Sequence, residues 1–488
     1  MALEAGECFD IREETSYVRS LLNQCLDQYM KLRQQNFENR AKPEDKVEID
    51  VRMEAIITRM FEYCFEEREF KQAIGIALET RREDMVKMAI ERGADAELLN
   101  YAFSLAYSVI GNQDFRFLIL HNLLDIFQKQ DRSSGKFDYY KIANCQVQLD
   151  LPEKTADLLA GLVSDKNHLV AYQIAFDLVD KENQAFSAKV IEILTGKTDL
   201  DELSKTRVNK MLSILRGEYN DRLYLQFLNK NNHTDMMLIN KIKDAIDVKR
   251  SMLHSSTVWC NGIMNAYTTN DTFMRDNLPW VAQATNWNRF SATASLGMIH
   301  MGNKKEANNI LDPYFTGQVN QGGNASPYST AGAYYAYGLI HANQHSEEVV
   351  KFFEDGYINA GSNEAITHGV SLGLGLVAMA TKDEEIYEKL KNTLYGNADS
   401  ATIGEATAYS MGLVMLGSAN QNVIEEMVQH ASDSQHEKII RALSVSLAML
   451  MYGKEDAADT LIEQMVRSKD ATMRYGGMFA IGCAYAGT

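Results

Sequence analysis

The sequence predicts an all-α protein, in which an irregular helical rod is followed by stacked α-hairpins that form part of an α/α toroid or solenoid. Three observations predict this class. A pattern of small residues occurs six times between residues 291 and 488, with spacings of 41, 37, 37, 36 and 34 residues. Repeats of this length are typical of stacked helical hairpins. Only five of the 488 residues are proline, and 45% are hydrophobic. A low proline content favours uninterrupted helices.

Each copy of the pattern consists of a small residue, a short apolar run, and a second small or turn residue five positions later. The first positions are Gly297, Gly338, Gly375, Gly412, Ala448 and Gly482, and the second positions are Gly302, Asn343, Ala380, Gly417, Gly453 and Gly487. Glycine inside a helix is about 1 kcal/mol less favourable than alanine. Its recurrence at the first position therefore indicates that neighbouring helix backbones approach closely there. The second position is predicted to end the helix in the left-handed conformation that glycine tolerates best.

A second helix is predicted after each of these turns. It opens with carboxylates, as in Asp383-Glu384-Glu385, which suit the positive end of a helix dipole. Apolar residues then follow three or four positions apart, as at Ile386 and Leu390. Each repeat is thus a buried first helix rich in small residues and an amphipathic second helix. A single hairpin cannot bury its own apolar face, so neighbouring hairpins must stack.

The chain divides, on these grounds, into a helical rod over residues 1–250, junction helices over residues 251–290 and about six repeats over residues 291–488. The segment 316–329 is rich in glycine, asparagine and glutamine, which predicts a surface loop. The last first helix coincides with the end of the sequence, so we expect a fragment that stops inside its array.

The junction contains all three tryptophans, Trp259, Trp280 and Trp287. Tryptophan is common at binding hot spots, so these residues could mark a binding surface. The sequence favours the alternative interpretation, in which they form a core between the rod and the repeats.

Composition excludes several classes of function. The net charge is −17 and no basic stripe is present, which argues against nucleic acid and anionic membranes as partners. No apolar run reaches the roughly 18 to 20 residues that cross a bilayer. The six cysteines are scattered without a Cys-x-x-Cys pair, which indicates reduced thiols in the cytoplasm and nucleus. Proteins are the expected partners.

Two sequence matches to catalytic motifs have structural explanations. Ser371 stands in a G-x-S-x-G pattern, but a hydrolase nucleophile needs a strand before the serine, and this one falls inside a repeat helix. The segment beginning at Gly196-Lys197 resembles the end of a phosphate-binding loop, but the glycine required five positions earlier is Ile191. We therefore predict no catalytic residue and no cofactor site.

Three histidines stand in patterns that could place them in a metal site. His436-Glu437 opens like a zinc-protease helix, but Ile440 replaces the second histidine. His300 and His341 occupy equivalent repeat positions, whereas the other copies have Ala378, Met415, Met451 and Tyr485 there. One or two imidazoles do not make a ligand set. The sequence therefore predicts no metal site, and interprets His300 and His341 as core histidines with satisfied hydrogen bonds.

Several segments along the chain resemble a known family, the proteasome/cyclosome repeat proteins, and within it the larger of two proteasomal scaffolds. The segments that carry the resemblance are residues 71–82, 223–228, 231–235, 275–280, 284–287, 293–297 and 435–441. The resemblance extends over nearly the whole chain. It implies a helical rod followed by hairpins that close into a toroid.

The resemblance also implies a function without catalysis. Members of this family are scaffolds in the base of the proteasome regulatory particle, where they contact ATPase-ring and lid subunits and ubiquitin receptors or shuttle factors. The family's first rod helices, the rest of its toroid and its receptor-docking tail have no counterpart in this sequence. Neither tail-dependent receptor docking nor closure of a ring by this chain alone is therefore expected.

Two alternatives remain open from the sequence. The chain could be a helical-repeat adaptor of another complex such as the cyclosome. It could also be an α/α-toroid enzyme, since hydrolases and terpenoid cyclases are built from helical hairpins around an axis. Such enzymes line the toroid with carboxylates, whereas the first-helix runs from each first position to its second position contain no Asp or Glu.

Overall fold

A computed structural model describes residues 15–41, 46–93, 95–130, 137–164, 167–180, 183–197, 202–247, 251–315 and 326–487. Every regular element in these ranges is a helix, which confirms the predicted all-α class. Contacts divide the chain into two compact units, one up to residue 151 and one over residues 152–487. The predicted loop at 316–329 lies largely outside the described residues. The predicted division into rod, junction and repeats stays a prediction.

The described residues of the first unit form seven α-helices. They are α1 (Ser16–Glu38), α2 (Val51–Glu66), α3 (Phe70–Glu79), α4 (Glu83–Gly93), α5 (Ala96–Ser108), α6 (Gln113–Lys129) and α7 (Tyr139–Gln148). A 3-10 turn, Asn39–Ala41, follows α1. Side chains of Asp50, Asn112 and Asp138 accept hydrogen bonds from the first free amides of α2, α6 and α7. Apolar residues at helical spacing, such as Ile57 and Phe61, are fully buried in this unit.

A buried arginine connects three helices of the first unit. The side chain of Arg82 is only 10% exposed, and its guanidinium forms three hydrogen bonds with the carboxylate of Asp84. It also donates to Glu54 Oε1 at 2.5 Å and to the Tyr29 hydroxyl at 3.2 Å. Glu54 lies on α2 and Tyr29 on α1, so this one cation joins both helices to the start of α4.

Where the structure describes it, the second unit begins with nine α-helices that precede the predicted array. They are α8 (Pro152–Ser164), α9 (His168–Asp180), α10 (Gln184–Gly196), α11 (Glu202–Leu215), α12 (Glu218–Lys230), α13 (Met236–Ala245), α14 (Ser251–Met264), α15 (Thr272–Asp276) and α16 (Leu278–Val281). Pro152 is the first residue of α8. Proline is tolerated there because the first amides of a helix have no acceptor within the helix, so its missing amide hydrogen breaks no bond. Helix α8 packs against α10, and α9 packs against α11.

The remaining eleven α-helices alternate between two kinds. The first helices are α17 (Trp287–Ile299), α19 (Pro327–Ile340), α21 (Glu364–Val377), α23 (Ala401–Val414), α25 (Glu437–Leu450) and α27 (Ala471–Ala484). The second helices are α18 (Ala307–Phe315), α20 (Glu347–Ala360), α22 (Glu384–Gly396), α24 (Gln421–Asp433) and α26 (Asp459–Val466). Two further 3-10 turns, Lys304–Glu306 and Glu455–Ala458, precede α18 and α26.

Each first helix packs against the next first helix, and most also pack against the second helix before them. The second helices α20, α22 and α24 begin at N-capping side chains of Ser346, Asp383 and Asn420. Their buried faces contribute residues such as Phe353 and Leu390 to one continuous apolar core. This arrangement follows from the sequence pattern, because small residues let first helices touch while large residues fill the space beneath.

The three tryptophans do not form the single core that the sequence favoured. Trp280 packs its ring 4.1 Å from the imidazole of His254. Trp287 is 40% exposed and lies at the start of α17 against other aromatic rings. Trp259 lines an open apolar groove along α14. The predicted junction core holds for Trp280, which packs against buried residues of α13 to α17 such as Ile239 and Phe273. A core shared by all three tryptophans was wrong, because residues 259, 280 and 287 lie on three different helices whose rings face separate environments.

The five cysteines within the described ranges are all free thiols: Cys25, Cys64, Cys145, Cys260 and Cys483. No described helix is long and apolar enough to cross a membrane.

Candidate functional site

The first-position glycines lie where consecutive first helices touch. A Cβ atom added to Gly297 would lie 2.5 Å from the Cα of Ala336, and one added to Gly338 would lie 2.4 Å from the Cα of Gly373. These separations are well inside van der Waals contact, so neither position has room for a side chain without movement of the neighbouring backbone.

The next two repeats place serine at the same contact. A Cβ atom added to Gly375 would lie 2.6 Å from the Cβ of Ser410, and one added to Gly412 would lie 2.6 Å from the Cβ of Ser446. In these four repeats the contacted residue stands two positions before the next first-position residue. The array therefore depends on a pair of small residues, not on the glycine alone.

Gly482, on the last described first helix, differs from these four. A Cβ atom added there meets no atom of the described residues within 4 Å. Its identity as a repeat position therefore stays a prediction from the sequence pattern.

All six second-position residues have left-handed backbone conformations. The φ angles are 75° at Gly302, 58° at Asn343, 58° at Ala380, 64° at Gly417, 67° at Gly453 and 87° at Gly487. This conformation costs a residue with a Cβ roughly 1 kcal/mol or more. Asparagine and alanine nevertheless occupy two of the six positions, so other interactions must hold these turns.

Those interactions are backbone hydrogen bonds from each turn to the end of the next first helix. The amide of Asn343 donates to the carbonyl oxygen of Leu376 at 3.0 Å, and that of Ala380 donates to Leu413 at 2.9 Å. Gly417 and Gly453 donate in the same way to Met449 and Cys483. The last carbonyls of an α-helix have no partner within the helix. Each turn therefore caps the next first helix, and we call this row of bonds the turn ladder.

The turn ladder begins one hairpin earlier than the sequence analysis placed it. Tyr267 has a φ angle of 60° and donates its amide to Met298, at the end of α17. Gly262 precedes Tyr267 by five positions, and a Cβ atom on it would lie 3.2 Å from Ser295. The spacing from Gly262 to Gly297 was a usable signal. It was missed because tyrosine is unexpected at a left-handed position.

The residues considered for chemistry lie apart. Ser371 is fully buried inside α21, where its hydroxyl lies 2.9 Å from the Tyr357 hydroxyl and 3.3 Å from that of Thr407. His436 is the residue before α25, and Lys197 follows α10. Among the described residues no group of three His, Cys, Asp or Glu side chains could hold a metal ion.

The two repeat histidines are buried, but their hydrogen bonding is incomplete. His300 Nε2 lies 3.4 Å from the carboxylate of Asp271, while its Nδ1 has no hydrogen-bond partner among the described residues. His341 stacks on Tyr337, and its Nε2 likewise has no partner among them. The prediction that both histidines are fully satisfied was therefore wrong, because the apolar packing that buries them offers too few polar neighbours.

His341 should make the stability of the array depend on pH. Burial, aided by nearby Lys304, lowers the pKa of His341 to about 4. The unfolded chain binds a proton near pH 6.5, but the folded chain does not until about pH 4. Stability is therefore lost as the pH falls through this window, by about 2 kcal/mol at pH 5. The variant His341→Met, which carries the residue found at the equivalent Met415, should lose less stability between pH 7 and pH 5 in urea denaturation. Equal pH dependence of the two proteins would contradict this assignment.

The fold and the turn ladder define a class of protein: a helical-repeat protein of stacked hairpins. Comparison with known sequences identifies the family within this class. The model for the N-terminal domain of the 26S proteasome subunit RPN2 matches residues 1–232, and the proteasome/cyclosome repeat model matches residues 406–440. The second match includes Gly412 and Gly417.

Curated relatives match the chain from end to end. The 26S proteasome non-ATPase regulatory subunit 1 homolog B of Arabidopsis thaliana is 39% identical over 531 aligned residues, covering 100% of this chain and 52% of the relative. The 26S proteasome non-ATPase regulatory subunit 1 of Drosophila melanogaster is 36% identical, and the alignment covers 100% of this chain and 52% of the relative. The 26S proteasome regulatory subunit rpn2 of Schizosaccharomyces pombe is 35% identical, and the alignment covers 100% of this chain and 50% of the relative.

The chain belongs to the family of 26S proteasome non-ATPase regulatory subunit 1, also named Rpn2. It spans about half the length of the curated relatives it matches. All three names describe proteasome regulatory subunits, and the Arabidopsis and Drosophila names add that the subunit is not an ATPase.

Proposed function

We propose that this chain acts as a non-catalytic scaffold in the base of the proteasome 19S regulatory particle, in the cytoplasm and nucleus. In this role it holds ATPase-ring subunits, lid subunits and ubiquitin receptors or shuttle factors in position for ubiquitin-dependent protein degradation. The observation that carries the proposal is similarity to proteasomal regulatory subunits along the entire chain. The turn ladder supports the proposal, since repeats that are hydrogen-bonded to their neighbours present fixed surfaces to several partners.

The second unit also exposes large apolar side chains of the kind that bind other proteins. On α12, Phe227 is 64% exposed and Leu223 is 50% exposed, and on α13, Leu238 is 52% exposed. Large exposed apolar groups concentrated on neighbouring elements mark interaction surfaces more often than isolated ones do. We place part of the contact with the proteasomal subunits on these two helices.

Affinity capture of the tagged chain from cells tests the proposal. Proteasomal ATPase and lid subunits should be recovered, identified by mass spectrometry. Recovery of cyclosome subunits in their place would favour the alternative adaptor function and overturn the proposal.

A double variant, Phe227→Ser with Leu238→Ser, tests the surface on α12 and α13. We expect it to recover at least about tenfold less of the proteasomal subunits, because hot-spot truncations commonly cost 2 kcal/mol or more. The matched control is Ile358→Ser on α20, which removes a side chain that is 78% exposed outside this surface. Equal recovery by the double variant and the control would remove α12 and α13 from the proposed contact.

A further inference from the structure

The turn ladder has a second bond at several of its steps. Two residues after the left-handed position, the amide of Lys382 donates to the carbonyl oxygen of Val414 at 3.0 Å. Ala419 donates in the same way to Leu450 at 3.0 Å, and Thr269 donates to Ile299 at 3.1 Å. Each acceptor stands two positions after a first-position residue. The second bond therefore recurs with the repeat.

The step between α19 and α21 lacks this direct bond, and a side chain from α10 takes its place. By the repeat register, the amide of His345 would donate to the carbonyl oxygen of Val377. The amide of His345 instead donates to Gln184 Oε1 at 3.0 Å. Gln184 Nε2 in turn donates to Val377 at 3.0 Å and to the carbonyl oxygen of Met379 at 2.9 Å.

We propose that Gln184 is an inserted member of the turn ladder and that it locks α10 to the repeat array. A primary amide carries the same donor and acceptor groups as a peptide bond, so it can bridge a donor and an acceptor that have moved apart. The three partners also fix the orientation of the side-chain amide of Gln184. Its nitrogen must face the two carbonyl oxygens, and its oxygen must face the amide hydrogen of His345.

Only glutamine meets these requirements at this position. Glutamate has the same length but, when ionised, cannot donate to Val377 or Met379. Asparagine is one methylene shorter, and alanine leaves all three backbone groups without this partner. The lock joins residues 161 or more positions apart in the sequence, so it fixes the docking of α10 independently of the chain connectivity.

Contacts from α12 strengthen the same interface. Lys304, just after the first turn of the array, forms an ion pair with Asp221. Asn229 donates to the carbonyl oxygen of Thr268 at 3.1 Å. Helices α10 and α12 thus both dock on the turns, and Gln184 contacts a later turn than Asp221 and Asn229 do. Loss of Gln184 should release α10 while the α12 contacts remain.

Hydrogen–deuterium exchange of the full chain tests the proposal at the amide of His345. In Gln184→Ala this amide loses its acceptor, and its exchange should accelerate about tenfold or more, as expected for loss of a hydrogen-bonded contact. The matched control is Gln173→Ala on α9, whose side chain makes only an exposed bond to Asp177. Unchanged exchange in Gln184→Ala, or equal acceleration in the control, would overturn the proposal.

The variant Gln184→Glu separates hydrogen bonding from packing. At pH 7 its carboxylate faces two carbonyl oxygens, so its thermal unfolding midpoint should fall below that of Gln184→Ala. Protonation restores one donor, and because the folded state raises the pKa of the introduced carboxyl group, the deficit should shrink between pH 7 and pH 5. A deficit that does not change with pH would show that side-chain volume alone matters and would overturn the inserted-amide interpretation.

Discussion

Replacing Gly412 with leucine is expected to lower the free energy of unfolding of the array by about 3 kcal/mol or more, the upper range for overpacking a core. Even the first added carbon would lie 2.6 Å from the Cβ and Oγ of Ser446 and 2.7 Å from its Cα. Ser446 cannot simply rotate away, because its hydroxyl donates to the carbonyl oxygen of Ala408 at 2.8 Å. Helices α23 and α25 must therefore separate. Urea denaturation followed by far-UV circular dichroism measures the loss.

Alanine substitutions at Gly412 and at Gly482 provide the matched control. Both glycines are first-position residues inside a first helix, but Gly482 has no atom within 4 Å of an added Cβ. Gly482→Ala should therefore stabilise the protein slightly, by up to about 1 kcal/mol, through helix propensity alone. Gly412→Ala should destabilise it. If the two alanine variants shift stability in the same direction, close helix contact is not the reason for glycine at Gly412.

The repeat could be predicted from the sequence because its physical causes are local. A first helix needs a small residue where the next helix touches it, and its turn needs a residue that tolerates a positive φ angle. Both requirements leave marks at fixed positions, such as Gly338 and Gly417, which periodicity reveals without any knowledge of the fold.

The docking of α10 could not be predicted in this way. Gln184 has no sequence neighbour that reveals its role, because its partners at His345, Val377 and Met379 are backbone groups far along the chain. Backbone groups carry no sequence signal of their own. The prediction of a shared tryptophan core was wrong for a related reason: closeness of these residues along the chain carries no information on which helix faces hold them.

Arg82 provides the second large expected effect, in the first unit. Replacing it with methionine keeps much of the side-chain volume but removes the cation that Asp84, Glu54 and Tyr29 share. Removing one member of a buried ion pair typically costs 3–5 kcal/mol. Here the carboxylates are 40% and 53% exposed at Glu54 and Asp84, so water can partly replace the arginine. We therefore expect a loss of about 3 kcal/mol, measured by native-state hydrogen exchange of α2 and α4 in the full chain.

Two further variants distinguish the network from generic charge effects. Arg82→Lys keeps the charge but cannot make the two-pronged contact with Asp84, so it should recover only part of the lost stability. Arg40 also pairs with an aspartate, Asp114, but both side chains are about half exposed or more. Arg40→Met should therefore cost no more than about 1 kcal/mol, as for other exposed ion pairs. A similar cost for Arg82→Met and Arg40→Met would mean that burial does not strengthen the Arg82 contacts, and that α1, α2 and α4 are held together by apolar packing.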